Sequence, residues 1–249
     1  MDIGVVRDDM VDGLAHETKG VLETGRVADA MGSVPRHEFV DTDTPEAAYE
    51  DRTFERRGTT VLAPSLVARL LEALAPDPDD DVLVVGAGVG YTAAVLAEIV
   101  GGRRVSAIDL SRPLVMDARR NLAAAGYEAV LVDRGNGTDG LPGYAPYDRI
   151  LVEAAATDPP DLLLYQLAPD GRLVMPKGTP EQEIVAIEDG EVIERHGAVR
   201  FKPLLVEGEQ TGGIERNRTA RESRERAAER SDSRNGWERD WIDWERAGR

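Results

Sequence analysis

The sequence predicts an α/β fold: a mostly parallel sheet covered on both sides, with an antiparallel hairpin at one edge. Three observations predict it. Between Asp81 and about Val206, short β-branched runs alternate with longer helical patterns, the order that right-handed crossovers require. A glycine-rich turn, "GAGVG" (Gly86–Gly90), divides the first of these runs from a helix-like stretch. The last two strand candidates are joined by "EDGEV", an Asp-Gly turn with no helix between them, which fits a hairpin.

The elements follow in order. "VLVV" (Val82–Val85) leads into the helical "YTAAVLAEIV", then "RVSAI" into "RPLVMDARRNLAAAG". "EAVLVD" and "DRILVEA" are the third and fourth strands, and "PPDLLLYQLA" is expected as a helix with prolines near its start. "GRLVMP", "QEIVAIED" and "EVIERHGAVRF" read as further strands. Ahead of the sheet, residues 1–78 form an N-terminal helical addition with helical stretches near Val5–Leu22 and Pro64–Ala75. Residues 79–212 form the sheet domain, and residues 213–249 a charged extension. From Glu215 to Arg249 there are ten arginines and nine acids, too polar to build a core. This extension is expected to be disordered or a solvated helix. Trp237, Trp241 and Trp244 share a helical face there. They fit either a local anchor on the parent domain or a docking patch for another protein or a second subunit.

Composition narrows the function. With 41% hydrophobic residues in 249, a packed core is within reach. No apolar run approaches the length that spans a bilayer, and the acidic start "MDIGVVRDDMVDG" lacks the pattern of a secretion signal. No membrane association and a cytoplasmic location are the expectation. The absence of cysteine excludes thiolate chemistry, and three scattered histidines argue against a metal site. The formal charge of -17 repels phosphate backbones, so no nucleic-acid partner is expected. Such a surface, with only three lysines, suits concentrated salt and points to a halophilic source.

The glycine turn follows the first strand, where a ligand can approach backbone and helix N-terminus. A dinucleotide fingerprint beginning at Gly86 needs glycine at position 91, which is Tyr91, and a P-loop's Gly-Lys-[Ser/Thr] is missing. The spacing Gly86, Gly88, Gly90 resembles the G-x-G-x-G of S-adenosylmethionine-dependent methyltransferases. Asp109 ends the second strand about twenty residues on, where a carboxylate can accept both ribose hydroxyls. The competing role, capping the next helix, suits Ser111 better.

Longer blocks narrow the resemblance further. "AMGSVPRHEFV", "AAYEDR", "GNGTDGLPGYAPYDRILVEAAA", "LLLYQLAPDGRLVMPKG" and "VRFKPL" occur in order between about Gly13 and Gln210. Together they resemble the protein-L-isoaspartate O-methyltransferase family. The resemblance implies a Rossmann-like seven-stranded methyltransferase sheet. It also implies S-adenosylmethionine as cofactor, and methyl transfer to the α-carboxyl of isoaspartyl residues in damaged proteins or peptides, a repair reaction. It implies cofactor contacts at Gly86, Gly88, Gly90, Tyr91, Asp109, Leu110, Asn136 and Gly137. Substrate contact falls to the loop "RGTTVLAPSLV", where Leu62 stands at the family's serine position. Thr60 or Thr59 is then the candidate donor at the catalytic centre, or the substrate differs. Val84 and Asn136 replace residues that are acidic in the family. Glu153 replaces a small or neutral one, where it either repels an anionic substrate or is structural. Gln210 is a further candidate for late contact. The alternatives are a related methyltransferase with another substrate, or a non-catalytic methyltransferase-like interaction module.

Overall fold

The computed structural model describes residues 2–16 and 19–205. The charged extension with Trp237, Trp241 and Trp244, and Gln210, lie outside the described residues. Seven strands form one sheet: β3 (Val82–Val85), β4 (Val105–Asp109), β5 (Leu131–Arg134), β6 (Tyr147–Val152), β7 (Leu167–Lys177), β8 (Gln182–Glu188) and β9 (Glu191–Val199). Their order is β5-β4-β3-β6-β7-β8-β9. The first five are mutually parallel, and β8 runs antiparallel to both β7 and β9. The β8–β9 turn places Asp189 and Gly190 at positive φ, as a two-residue hairpin turn requires.

Side chains alternate across the sheet with period two. Val82, Val84, Leu151, Val174, Ile184 and Ala186 enter one core, while Leu83, Val85, Ile150, Val152, Leu173 and Met175 enter the other. The first core also takes α1 (Ile3–Ala15), α2 (Gly25–Ser33), α3 (Pro64–Leu74), α4 (Tyr91–Val100) and α5 (Arg112–Ala124). The N-terminal addition therefore shares its apolar interior with the sheet.

Helical cover is concentrated on that first face, a correction to the expected helices on both. The connections before β6 and β7 carry Gly135, Gly137, Gly140, Pro142, Pro159 and Pro160, which break helices. Only the one-turn α6 (Asp161–Leu164) and loop residues cover the second face. The helix expected through Ala168 stops early for a local reason. The buried Gln166 amide donates to the carbonyls of Asp139 and Leu162 and accepts from Leu141 N–H. Leu167 can then pair with Tyr147 as the start of β7. The helix expected through Leu22 ends at Ala15, and the chain doubles back so that the N–H groups of Val21 and Leu22 donate to the Leu14 carbonyl.

One hairpin lies outside the sheet. β1 (Phe54–Arg56) and β2 (Thr59–Val61) pair antiparallel across a turn at Arg57–Gly58. Asp117 on α5 is buried and accepts from Arg56 Nε at 3.3 Å and Arg57 Nε at 2.7 Å, while Lys202 Nζ donates to the Gly58 carbonyl at 2.8 Å. These contacts fasten the hairpin above the carboxyl ends of the parallel strands. Among the described residues no helix is long and apolar enough to cross a membrane.

Candidate active site

A cavity of about 880 Å³ opens at that edge, between the glycine turn, the hairpin and the segment after β9. Three elements meet there because β6 recruits them. Glu153 N–H donates to the Val85 carbonyl, while Ala155 exchanges backbone hydrogen bonds with Lys202 and Leu204. The Gln182 amide grips both backbone groups of Phe201. Residues 200–205 thus form one wall opposite the glycine turn.

The turn is shaped by its glycines. Gly86 has φ 97°, and a Cβ there would meet the Glu153 side chain at 3.4 Å. Its N–H donates to the Ile108 carbonyl, drawing the turn against the end of β4. Gly90 has φ 93° and begins α4; a Cβ there would press Leu122 at 3.2 Å. Gly90 therefore lets α4 and α5 approach and is not among the cavity residues.

Asp109 stands at the cavity with both oxygens engaged. Oδ2 accepts from Gly88 N–H at 2.9 Å and Oδ1 from Ser111 N–H at 2.8 Å. Burial pushes its pKa up, and the two N–H donors oppose that rise. Each carboxylate oxygen retains a further lone pair. Ser111 is the N-cap residue of α5 by position, but its side chain makes no capping hydrogen bond; its own N–H donates to Asp109.

The cavity brings together Gly86, Gly88, Tyr91, Asp109, Leu110, Gly137, Thr59 and Thr60. It does not bring Asn136, whose amide oxygen accepts from the N–H and hydroxyl of Thr138. Leu62 is buried in the wall, and no hydroxyl replaces the one it lacks at that position. The two threonines differ. Thr60 donates its hydroxyl to Glu55 at 2.8 Å. The Thr59 hydroxyl has no hydrogen bond to a described residue.

Two charged groups bear on the site: Arg36 behind its wall, and Glu153, already singled out in the sequence, within it. Arg36 is fully buried, donating from Nε to the Ala48 carbonyl at 2.8 Å and from a terminal nitrogen to the Leu62 carbonyl at 2.6 Å. Its guanidinium lies 4.5 Å from the centre of the Tyr91 ring. It therefore fixes the Leu62 segment and the first turn of α4 together. It begins a short 3₁₀ turn, Arg36–Glu38, within the block "AMGSVPRHEFV", and a buried arginine leaves no periodic pattern. Glu153 lies at the end of β6, beside Gly86. Its residue surface is partly open to the cavity, yet Oε1 is buried and has no hydrogen-bond partner. Burial pushes this carboxyl up to about 7; Asp109 adds to the rise and the Thr92 hydroxyl opposes it.

The family model described as protein-L-isoaspartate(D-aspartate) O-methyltransferase matches residues 7–210. A protein-L-isoaspartate O-methyltransferase of Aeropyrum pernix is 47% identical over 196 residues, covering 76% of this chain and 75% of the relative. One of Methanopyrus kandleri is 46% identical over 196 residues, covering 76% and 87%. A solved structure described as a protein-L-isoaspartate O-methyltransferase superposes with TM-score 0.69 at 28% identity, over 78% of this chain and 64% of that chain. A Plasmodium falciparum structure in complex with S-adenosyl-L-homocysteine gives TM-score 0.70 at 22% identity, over 80% and 98%, a likeness of fold.

Proposed function

Because the chain belongs to the protein-L-isoaspartate O-methyltransferase family, we infer that it methylates the α-carboxyl of L-isoaspartyl residues in damaged proteins, with S-adenosylmethionine as donor. One observation carries this reading most directly. A glycine turn, a ribose-type acid and a two-threonine hairpin line a single cavity. When bound, the cofactor supplies a methyl group already activated on a sulfonium. Its substrate carboxylate is ionised at neutral pH, so no strong general base is required. What the chain contributes is position and dryness.

The residues suit such a ligand. In this reading Asp109 accepts the ribose hydroxyls with its remaining lone pairs, and the backbone of Gly86 and Gly88 gives close approach. Tyr91, Leu110 and Gly137 add apolar and backbone wall. Gly90 serves the site through helix packing, and Asn136 through the turn it makes with Thr138. Thr59, whose hydroxyl has no hydrogen bond to a described residue, is the better donor to the substrate carboxyl, and Thr60 fixes the hairpin through Glu55. Leu62 excludes water from the attacking oxygen. Arg57 and Arg200 line the rim and lend positive potential to a chain of formal charge -17.

The test is one assay in concentrated KCl. Radiolabelled S-adenosylmethionine is supplied with an isoaspartyl peptide and its normal aspartyl twin. Label on the isoaspartyl peptide alone is expected. Cofactor binding with neither peptide labelled would indicate a different methyl acceptor, and equal labelling of both would refute isoaspartyl selectivity.

A further inference from the structure

We propose that Glu153 is a cofactor-positioning residue whose carboxylate receives the α-ammonium group of the methionyl portion of S-adenosylmethionine. This rests on the cofactor reading above and goes beyond it, because it assigns a role to a side chain that methyl transfer itself does not call for. Three observations converge. Glu153 borders the first glycine of the turn, against which its Cβ would be in contact with any side chain at Gly86. Its Oε1 is buried and without a hydrogen-bond partner. It lines the same cavity as Asp109, just past the end of β6, with β3 lying between the two strands.

A buried acceptor left unpaired is costly, and a carboxylate left without a cation more so. The methionyl end of the cofactor carries two cationic centres. The sulfonium has no N–H and cannot satisfy Oε1. The ammonium has three donors and can. The end of β3 offers no competing carboxylate, since Val84 is apolar and buried. A charge-assisted hydrogen bond there would join the amino-acid end of the ligand to β6, while Asp109 holds the ribose on β4.

Other titratable or charged groups face the same cavity and must be separated from Glu153. They are Asp109 on β4, Glu55 and Arg57 on the hairpin, Arg134 on β5, and Arg200 and Lys202 after β9. From α4 the Thr92 hydroxyl faces it. In the ligand-free chain the Glu153 carboxyl, pushed up to about 7, is protonated in mildly acid solution. Binding of the ammonium demands the ionised form, so affinity should rise with pH and level off above neutrality.

The test uses the full chain and isothermal titration calorimetry with two probes: S-adenosylhomocysteine and its desamino analogue, in which hydrogen replaces the amine. Glu153→Gln is expected to weaken S-adenosylhomocysteine about tenfold or more and the desamino analogue less than twofold. For wild type, S-adenosylhomocysteine affinity should rise about tenfold from pH 6 to 8; in the variant it should stay nearly flat. Glu153→Ala serves as a second variant, and thermal unfolding checks that both fold. Equal losses for the two probes, no loss for either, or the same pH profile in variant and wild type would overturn the proposal. If wild type itself binds neither probe, the cofactor reading falls first, and the two failures are distinguishable.

Discussion

Glu153→Gln should stabilise the ligand-free protein, increasingly so as pH rises. The side chain is buried at Oε1 without a partner, and its carboxyl is pushed from 4.5 up to about 7. A raised acid contributes stability that is fully present below its unfolded value and lost as pH climbs through the folded one. Across that window the unfolded chain is ionised while the folded chain holds the proton. At about 1.4 kcal/mol per pH unit, the wild type forfeits on the order of 3 kcal/mol by pH 8.5. Glutamine is the same size and stays neutral, so it avoids this loss. The measurement is urea unfolding of both proteins at pH 5 and 8.5 in the same KCl concentration. The variant should be close to wild type at pH 5, and its advantage should widen by about 2 kcal/mol at pH 8.5. Because the comparison is a difference, the titration of the many other acids cancels. A constant gap, or a variant less stable than wild type at pH 8.5, would show that Glu153 is solvated or already paired in the folded chain. A residue that weakens the free protein while strengthening the complex is the pattern expected of a binding group.

Other outcomes follow from the same geometry. Asp109→Ala removes the ribose acceptor and the anchor of the Gly88 N–H, and should weaken S-adenosylhomocysteine by about 30-fold or more in calorimetry; affinity within twofold of wild type would show the ribose lies elsewhere. Thr59→Val should lower kcat/KM for an isoaspartyl peptide by about tenfold, and Thr60→Val, whose hydroxyl is spent on Glu55, by no more than about threefold; the reverse order would exchange their roles. Arg36→Ala empties buried volume and strands the carbonyls of Ala48 and Leu62, so urea unfolding should register a loss of about 3 kcal/mol; a loss under about 1 kcal/mol would mean that the desolvation of its charge cancels those contacts. With a formal charge of -17, the unfolding midpoint should rise from dilute buffer into molar KCl, and a maximum in dilute buffer would count against adaptation to salt.

What the sequence made legible was set by burial. The inner strands of the sheet are buried on both faces and stand out as short β-branched runs, while the largely exposed edge strand β9 was marked by its Asp-Gly turn; all seven strands sit where the runs occur. The glycine spacing and Asp109 were legible because both are local: one turn, one strand end. The hairpin of β1 and β2 was read only as a loop, since three-residue strands carry too little pattern to register. The wall formed by residues 200–205 was equally hidden. It lies over a hundred positions from Gly86, and the hydrogen bonds of Ala155, Gln182 and Lys202 bring it across. Asn136 and Gly90 show the other side of this. Motif position suggested ligand contact, but a Thr138 turn and the close approach of Leu122 occupy them.

Glu153 and Leu62 look, at first, like two faults in a carboxyl-methylating site: an added negative charge and a lost hydroxyl. The cavity gives each a consistent place. On the pairing proposed above, the Glu153 charge is matched once the cofactor's ammonium arrives, so the substrate carboxylate meets a neutral pair instead of a lone anion. Before that, the raised carboxyl repels an anionic peptide wherever it is ionised. Cofactor binding would then precede productive peptide binding at pH 8, by electrostatics alone. Leu62 works in the same direction. Its backbone is clamped by Arg36, its side chain is buried, and the hairpin brings to the same cavity the hydroxyl of Thr59, which has no hydrogen bond to a described residue. On the proposed reading, the donor sits not in the segment leading into α3 but on a hairpin held by Asp117 and Lys202. Substrate affinity in this chain should therefore depend on the hairpin's anchors. Asp117→Ala is expected to raise KM for the isoaspartyl peptide several-fold while leaving S-adenosylhomocysteine affinity within about twofold, because the hairpin touches the substrate side of the cavity. An unchanged KM with the hairpin released would return the donor's role to a group outside β1 and β2.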